Sequence, residues 1–419
     1  MKSGIIIAFI KSEFKNKGEV SLGKIFQLQT PTKIIYGSDS LQKVGEIAST
    51  IGKKVLIISD QIMSDLGYVK KCEACLSEKD VETTIYLGVN SEPTDSFVEE
   101  ALQLFKTKGC DLIISLGGGS CIDTAKAVAI IATNEGYIGE FMGGKRLVEH
   151  TPIPHIAIPT TAGTGSEATD VTVITNTKND VKMMIKQPAF MPTCAIVDAS
   201  LTMSVPKGVT AATGVDALSH AVEAYLSKKA QPLTDMFAIS AMKLIINSIK
   251  KAYDDGENYE AREEMLLGSL KAGIAFSNAS VALVHGMSRP IGALFHVPHG
   301  VSNAMLLPAV LEYSKDSCVD RLATIGKLFH QNEKNLTNEE YANLAVSSVK
   351  ELCSYLNIPN LKEWGIKEEM YYRVLPKMAT DAINSGSPAN NPRVPTEQET
   401  INLYKVCFNY NFSEETVKN

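Results

Sequence analysis

Short apolar runs alternate with helix-length amphipathic stretches through the first half of this chain, and after about residue 200 the runs stop. They are KVLIISD (54–60), TTIYLGV (83–89), DLIISLGGGS (111–120), IPHIAIPTT (153–161) and CAIVD (194–198). Several are nearly continuous in aliphatic residues, the pattern of strands buried on both faces. Between them, stretches such as SFVEEALQLFKTKG (96–109) repeat apolar residues at three- and four-residue spacing and predict helices. Strand and helix in alternation imply an α/β fold, a parallel sheet with helices on both faces, of the doubly wound class. Beyond residue 200, AATGVDALSHAVEAYL, TDMFAISAMKLIINSIKKAYDD and AREEMLLGSLKAGIAFSN predict an all-α second domain.

A chain of 419 residues exceeds one comfortable hydrophobic core, which agrees with that division. We divide it into an extension at 1–23, an α/β domain at 24–200 and a helical domain at 201–419. The apolar run from Gly4 to Ile10 is too short to span a bilayer and has no small-residue cleavage site before the charges that follow. The first 23 residues therefore read as a disordered extension or a start placed too far upstream. A formal charge of −6 argues against nucleic acid or an anionic membrane as partner and for small-molecule ligands. The eight cysteines have no framework spacing, which places the chain in a reducing cytoplasm. Cys72 and Cys75 form a lone CxxC without a second pair or a neighbouring histidine, and read as structural.

In LIISLGGGSCIDTAKAVAIIA an apolar strand runs into Gly117, Gly118, Gly119 and Ser120 and then a helix. Such a turn lets backbone approach a pyrophosphate at a helix N-terminus, although a tight turn alone would have the same spelling. Asp60 ends KVLIISD, where a carboxylate either accepts hydrogen bonds from a ribose and repels a 2′-phosphate or caps the next helix. PTTAGTGSEATD (159–170) brings small hydroxyl and glycine residues to the end of another strand, and Lys182 could supply a cation to the same ligand or lie on the surface.

Three of the seven histidines fall within HGMSRPIGALFHVPHG (285–300). Upstream, Asp216 and His220 stand four apart in a helical pattern, so both emerge from one face. Together with His285 and His299 they make one carboxylate and three imidazoles, a donor set for a borderline divalent ion such as Fe²⁺ or Zn²⁺. Glu223, placed on a neighbouring helical face, reads as structural.

GGGSCIDTAK, PTTAGTGSEAT, ATGVDALSHAVEAY, HGMSRPIGALFHVPHG and NNPRVPT (390–396) follow one another in the order and at the separations of a known family. From about residue 25 to 410 the chain resembles the iron-containing (group III) alcohol dehydrogenases. The resemblance implies a dehydroquinate-synthase-like architecture, with the active site in a cleft between an NAD(P)-binding α/β domain and a helical domain. It implies Asp216, His220, His285 and His299 as metal ligands, with Fe²⁺ the expected ion and Zn²⁺ the alternative. For the NAD cofactor it implies Asp60, Gly117, Gly118, Gly119, Ser120, Asp123, Thr160, Thr161, Thr164 and Lys182. The expected reaction is hydride transfer between a small primary alcohol or diol and NAD, in a homodimer or larger homo-oligomer.

One departure stands out. Many relatives have HGMAH where this chain has HGMSR, so Arg289 occupies the place of a histidine near the substrate. An arginine does not titrate near neutrality, which leaves two expectations: a structural ion pair, or a contact to a substrate carboxylate such as that of a hydroxy acid or its semialdehyde. Ser387, where relatives often carry cysteine, has no assigned role. The rival readings are a glycerol-dehydrogenase-like zinc enzyme and a catalytically silent nucleotide-binding homologue. The spacing of Asp216 and His220 argues against the first, and the complete ligand set against the second.

Overall fold

The computed structural model describes residues 25–333 and 335–413, so the expectation for residues 1–23 lies outside the described residues. The strands are β1 (Lys33–Tyr36), β2 (Lys54–Ile58), β3 (Glu82–Tyr86), β4 (Leu112–Gly117), β5 (His155–Pro159), β6 (Val171–Asn176), β7 (Val181–Lys186) and β8 (Cys194–Val197). Six of them form a wholly parallel sheet in the order β1-β8-β5-β4-β2-β3. β6 and β7 form a separate antiparallel hairpin. The five strands read from the sequence are all present; β1, β6 and β7 are additions that the reading did not contain. β1 is a four-residue edge strand, and the hairpin alternates Thr, Lys and Met with apolar residues, so neither shows the continuous run of a central parallel strand.

The helices of this half are α1 (Val44–Ile51), α2 (Gln61–Asp65), α3 (Tyr68–Ser77), α4 (Asp95–Lys108) and α5 (Gly119–Asn134). Strand periodicity assigns them to faces. Val55 and Ile57 of β2 pack with Val44 and Ile47 of α1 and Val69 and Leu76 of α3. Leu56 and Ile58 turn the other way, onto Val98 and Phe105 of α4 and Ala125 and Val128 of α5. Both faces are thereby covered, as the continuous apolar runs require.

After β8 the described chain is helical: α6 (Lys207–Leu226), α7 (Pro232–Asp254), α8 (Tyr259–Ala279), α9 (Leu283–Phe295), α10 (His299–Ser314), α11 (Val319–Phe329), α12 (Asn338–Tyr355), α13 (Glu368–Asn384) and α14 (Glu397–Phe408). Every residue of α6 from Gly214 to Leu226 is buried, so α6 is the axis around which the other helices pack. Its alanines at 211, 212, 217, 221 and 224 keep it thin enough for close neighbours on all sides. Among the described residues no single helix is long and apolar enough to cross a membrane.

The halves meet along α8. Leu266, Leu270 and Ile274 pack on Ala195 and Val197 of β8. Lys186 of β7 bridges Asp170 at 2.5 Å and donates to the Ser277 carbonyl at 2.6 Å. In the loop after β5, Gly165 has φ +59° and its backbone presses on Gly273 of α8. Behind that loop the buried Lys126 ammonium donates to Ser166 Oγ (2.8 Å), Thr169 Oγ1 (2.9 Å) and the Val171 carbonyl (2.7 Å). A Cβ on Gly273 would stand 2.5 Å from the Gly165 carbonyl oxygen. Helix propensity alone favours Gly273→Ala by about 1 kcal/mol. Overpacking at this backbone contact outweighs it, and urea unfolding is expected to show a net loss of about 1–3 kcal/mol. A stabilised variant would mean that the two backbones part freely.

Candidate functional site

The carboxyl ends of β5, β4 and β2 lie side by side, and the polar motifs sit on them. The chain leaves β2 for β3 on one side and returns to β4 on the other, so β2 and β4 flank the reversal in strand order where α/β sheets bind ligands. Gly117 ends β4, Gly118 caps α5, and Gly119 opens it ahead of Ser120. A Cβ on Gly119 would lie 2.8 Å from Thr164 Cγ2, and one on Gly118 would lie 3.6 Å from Thr161 Oγ1. Glycine at 119 lets the turn and the 160–164 loop close on each other, whereas at 118 a side chain would only touch Thr161, and the buried Thr160 joins the two through a 3.0 Å bond from its N–H to the Gly117 carbonyl. Asp60 stands beside this surface. Its Oδ1 accepts from the Met63 N–H at 2.9 Å as the cap of α2, and Oδ2 faces Cys121 Sγ at 3.7 Å.

Two residues have other commitments. Asp123 accepts from Ser166 Oγ (2.6 Å) and from the Val173 N–H (2.7 Å), so both carboxylate oxygens brace the protein. Lys182 on β7 pairs with Glu92, and its ammonium would be 2.8 Å from a Cβ on Gly292 of α9. It therefore lies toward the histidines. Cys72 is buried and Cys75 half-buried in α3, both as free thiols.

The four expected metal ligands come together. Asp216 and His220 project from α6, His285 is the third residue of α9, and His299 is the first of α10. One donor atom from each lies within 4.8 Å of all the others. Asp216 Oδ1 is 3.8 Å from His220 Nδ1 and 3.7 Å from His285 Nε2. Asp216, His220 and His285 are buried, whereas His299 is half-buried and forms the open side. Local sequence explains the convergence. Ser280 takes φ +66° and the chain bends by 102° between α8 and α9, which turns His285 inward. His296 ends α9 in the left-handed region, and Pro298 precedes α10, so that His299 enters at its first position. A Cβ on Gly300 would stand 3.1 Å from the Ala212 carbonyl, so glycine there lets α10 close on α6. Of the three clustered histidines two are ligand candidates, and His296 is an exposed helix terminus.

The electrostatics suit a cation. Burial pushes the His299 imidazole down to about 3, against the pull of Asp216, and pushes His285 well below its ordinary value. Neutral imidazoles have lone pairs to offer. His220 Nδ1 is buried with no hydrogen-bond partner and faces the carboxylate. The Asn303 amide nitrogen donates to Asp216 Oδ1 at 2.6 Å and lies 3.0 Å from His285 Nε2 and 3.1 Å from His299 Nε2. Three acceptors thus converge around one electropositive point, and that arrangement fits a divalent ion.

Glu223 differs from its expected role. It lies seven residues after Asp216, two helical turns, and so shares the stripe of Asp216 and His220 rather than a neighbouring face. Burial lifts its carboxyl to about 7. Its oxygens take the Val284 N–H at 2.5 Å and His285 Nδ1 at 2.5 Å. A carboxylate there holds the proton on Nδ1 and leaves Nε2 free to face Asp216. Phe276 stacks on the His220 ring at 4.3 Å, fixing that imidazole too. Glu223 was legible from its spacing; Asn303 carries no motif that marks it.

A parallel nucleotide-type sheet joined to a helical half that gathers a carboxylate and three imidazoles defines a class, proteins of dehydroquinate-synthase-like architecture with a candidate divalent-metal centre. Family models match both halves: iron-containing alcohol dehydrogenase over residues 31–199, and the C-terminal part of the Fe-containing alcohol dehydrogenase family over 210–408. The chain belongs to the iron-containing alcohol dehydrogenase family, enzymes of alcohol and aldehyde oxidoreduction. It is 37% identical to a 1,3-propanediol dehydrogenase of Citrobacter freundii over 389 residues, 92% of this chain and 99% of the relative. It is also 37% identical to an NAD-dependent methanol dehydrogenase of Bacillus methanolicus, covering 90% of this chain and 98% of that one. A crystal structure of a 1,3-propanediol oxidoreductase superposes with a TM-score of 0.88 at 36% identity, over 92% of this chain and all (100%) of the other. A sulfoacetaldehyde reductase from Bifidobacterium kashiwanohense, solved with NAD+, superposes with a TM-score of 0.82 at 26% identity, over 93% and 100% of the two chains.

Glu223→Gln is expected to weaken divalent-metal binding about 10- to 100-fold in a competition titration, because the amide holds His285 less firmly. An unchanged affinity would make Glu223 a packing residue only.

Proposed function

We propose that this chain is an NAD-dependent, Fe²⁺-dependent dehydrogenase that interconverts a short primary alcohol or diol and its aldehyde. The observation that carries the reading is the convergence of Asp216, His220, His285 and His299 on one point, with three of the four buried. Those residues hold the metal; Zn²⁺ is the alternative ion for the same donors. The names of the relatives, a propanediol dehydrogenase and an NAD-dependent methanol dehydrogenase, support the substrate range and the cofactor. Gly117 to Ser120 with Thr160, Thr161 and Thr164 receive the dinucleotide phosphates at the start of α5. Asp60 faces the ribose and rejects a 2′-phosphate. Asp123 acts through Ser166, which it fixes beside Thr164, and Lys182 lends positive charge on the hairpin side.

The cation, when bound, acidifies the alcohol hydroxyl and polarises the aldehyde in the reverse direction. NAD+, held by Gly117 to Ser120 and the threonine loop, would take up the carbinol hydride in the oxidation, and solvent would take the hydroxyl proton. The chain's own part is placement. Glu223 fixes His285, Phe276 fixes His220, and the buried walls of α6 and α9 keep water from all but the His299 side. Arg289, whose burial draws it down to about 10, stays protonated at neutral pH and relays no proton. A cytoplasmic homo-oligomer completes the reading, consistent with eight unpaired thiols and with β1 standing at the sheet edge among the described residues.

Anaerobic purification with metal analysis is the direct experiment. Chelation is expected to abolish NAD-linked alcohol oxidation and Fe²⁺ to restore it; full activity of metal-free protein would overturn the reading. In Asp60→Gly the kcat/KM ratio of NADP+ to NAD+ should rise about tenfold or more, since a like charge opposite a phosphate costs several kcal/mol. A wild-type preference for NADP+ would remove the role given to Asp60.

A further inference from the structure

Arg289 stands one helical turn beyond His285 on α9, about 6 Å along the axis. Among the described residues its guanidinium has no carboxylate within ion-pair distance, and its polar contact is Met184 Sδ at 2.9 Å. The structural ion pair expected as one alternative is therefore absent there. Glu223, whose charge it feels, is occupied by the Val284 N–H and His285. Met184 and Lys182 are two apart on β7 and project from one face of the hairpin, toward α9. Arg289 and Lys182 thus set two positive charges along the same slot, with Glu92 at its half-exposed rim as the acidic group paired to Lys182. A half-buried guanidinium without a partner is costly to keep, and its planar fork fits an oxyanion.

We propose that Arg289 binds an anionic end of the substrate, so that the enzyme prefers a short alcohol or aldehyde bearing a carboxylate or sulfonate. One helical turn between His285 and Arg289 puts both on the same stripe of α9, so a short substrate of about two to four carbons is the class to test. The anionic group takes no part in the hydride step and serves to hold the chain in line. This inference rests on the proposed role of the Asp216, His220, His285 and His299 cluster.

The test compares Fe²⁺-loaded wild type, Arg289→Ala and Arg289→Lys with NAD+ and two matched pairs. These are 3-hydroxypropanoate against propane-1,3-diol, and 2-hydroxyethanesulfonate against ethylene glycol. Wild type is expected to favour at least one acid, and the pair that responds identifies carboxylate or sulfonate. In Arg289→Ala the acid-to-diol ratio of kcat/KM should fall about thirtyfold or more, mainly through KM, as for truncation of one partner of a buried charge pair. Arg289→Lys should recover part of it. Titration of propanoate and of ethanesulfonate into the NADH complex, followed by NADH fluorescence, reads the same contact without turnover. The inference is overturned if the ratio is unchanged in Arg289→Ala and both anions bind the variant as well as wild type. Absence of NAD-linked turnover with every alcohol and aldehyde would instead sink the dehydrogenase reading, and the anion titration would still decide the role of Arg289.

Discussion

A carboxylate buried in the middle of α6 is the constraint from which the helical half follows. Asp216 is only 2% exposed. Removing such a charge from water costs several kcal/mol unless positive charge or well-aimed donors meet it. α9 and α10 bring imidazoles whose own burial keeps them neutral, and Asn303 brings an amide donor. With burial disfavouring imidazolium, neutral lone pairs gathered around an anion are better suited to a divalent ion than to a proton. The polar centre is consequently a feature of the core, held by Glu223 and Phe276 as firmly as a packed side chain. Metal affinity and fold stability are then linked quantities, because an ion that binds this preformed cluster binds the folded chain and not the unfolded one.

The sheet half solves a different problem. Its strands expose loops, not side chains, at the edge that matters, and each loop is fitted to the next: Gly119 against Thr164, Thr160 against Gly117, Gly165 against Gly273. The last contact passes from one half to the other. Lys126 and Asp123 lie just behind it and tie the same loop to α5 and β6. Nucleotide edge and helical bundle are in this way parts of one polar seam, with α8 as its backbone.

The central strands were legible because burial on both faces writes itself as an unbroken apolar run, and α6 because Asp216 and His220 mark one stripe of a helix. The hairpin β6 and β7 was not legible. It carries Lys182, Met184 and Lys186 on one face, packs Ile174, Met183 and Ile185 of the other into the core with α4 and α5, and bonds to α8 and α9, contacts that no local pattern encodes. Glu223 was visible as a residue but misassigned to the wrong face, since its meaning depends on His285, 62 positions away in the chain. Asn303 was silent for the same reason: an amide acquires a role only from what surrounds it. Arg289 was conspicuous as a substitution, and only the packing against Met184 shows that it lacks an acidic partner among the described residues.

His299 differs from its three companions in where it is anchored. They hang from buried stretches of helix, whereas it enters from a three-residue connection, His296 to Pro298, whose first residue already has strained backbone. An ion held by all four can leave only after one donor lets go, and this is the donor whose release disturbs no core packing. The way in and out for such an ion therefore lies on the His299 side, where the least buried donor is carried by a short connection and not by the middle of a packed helix.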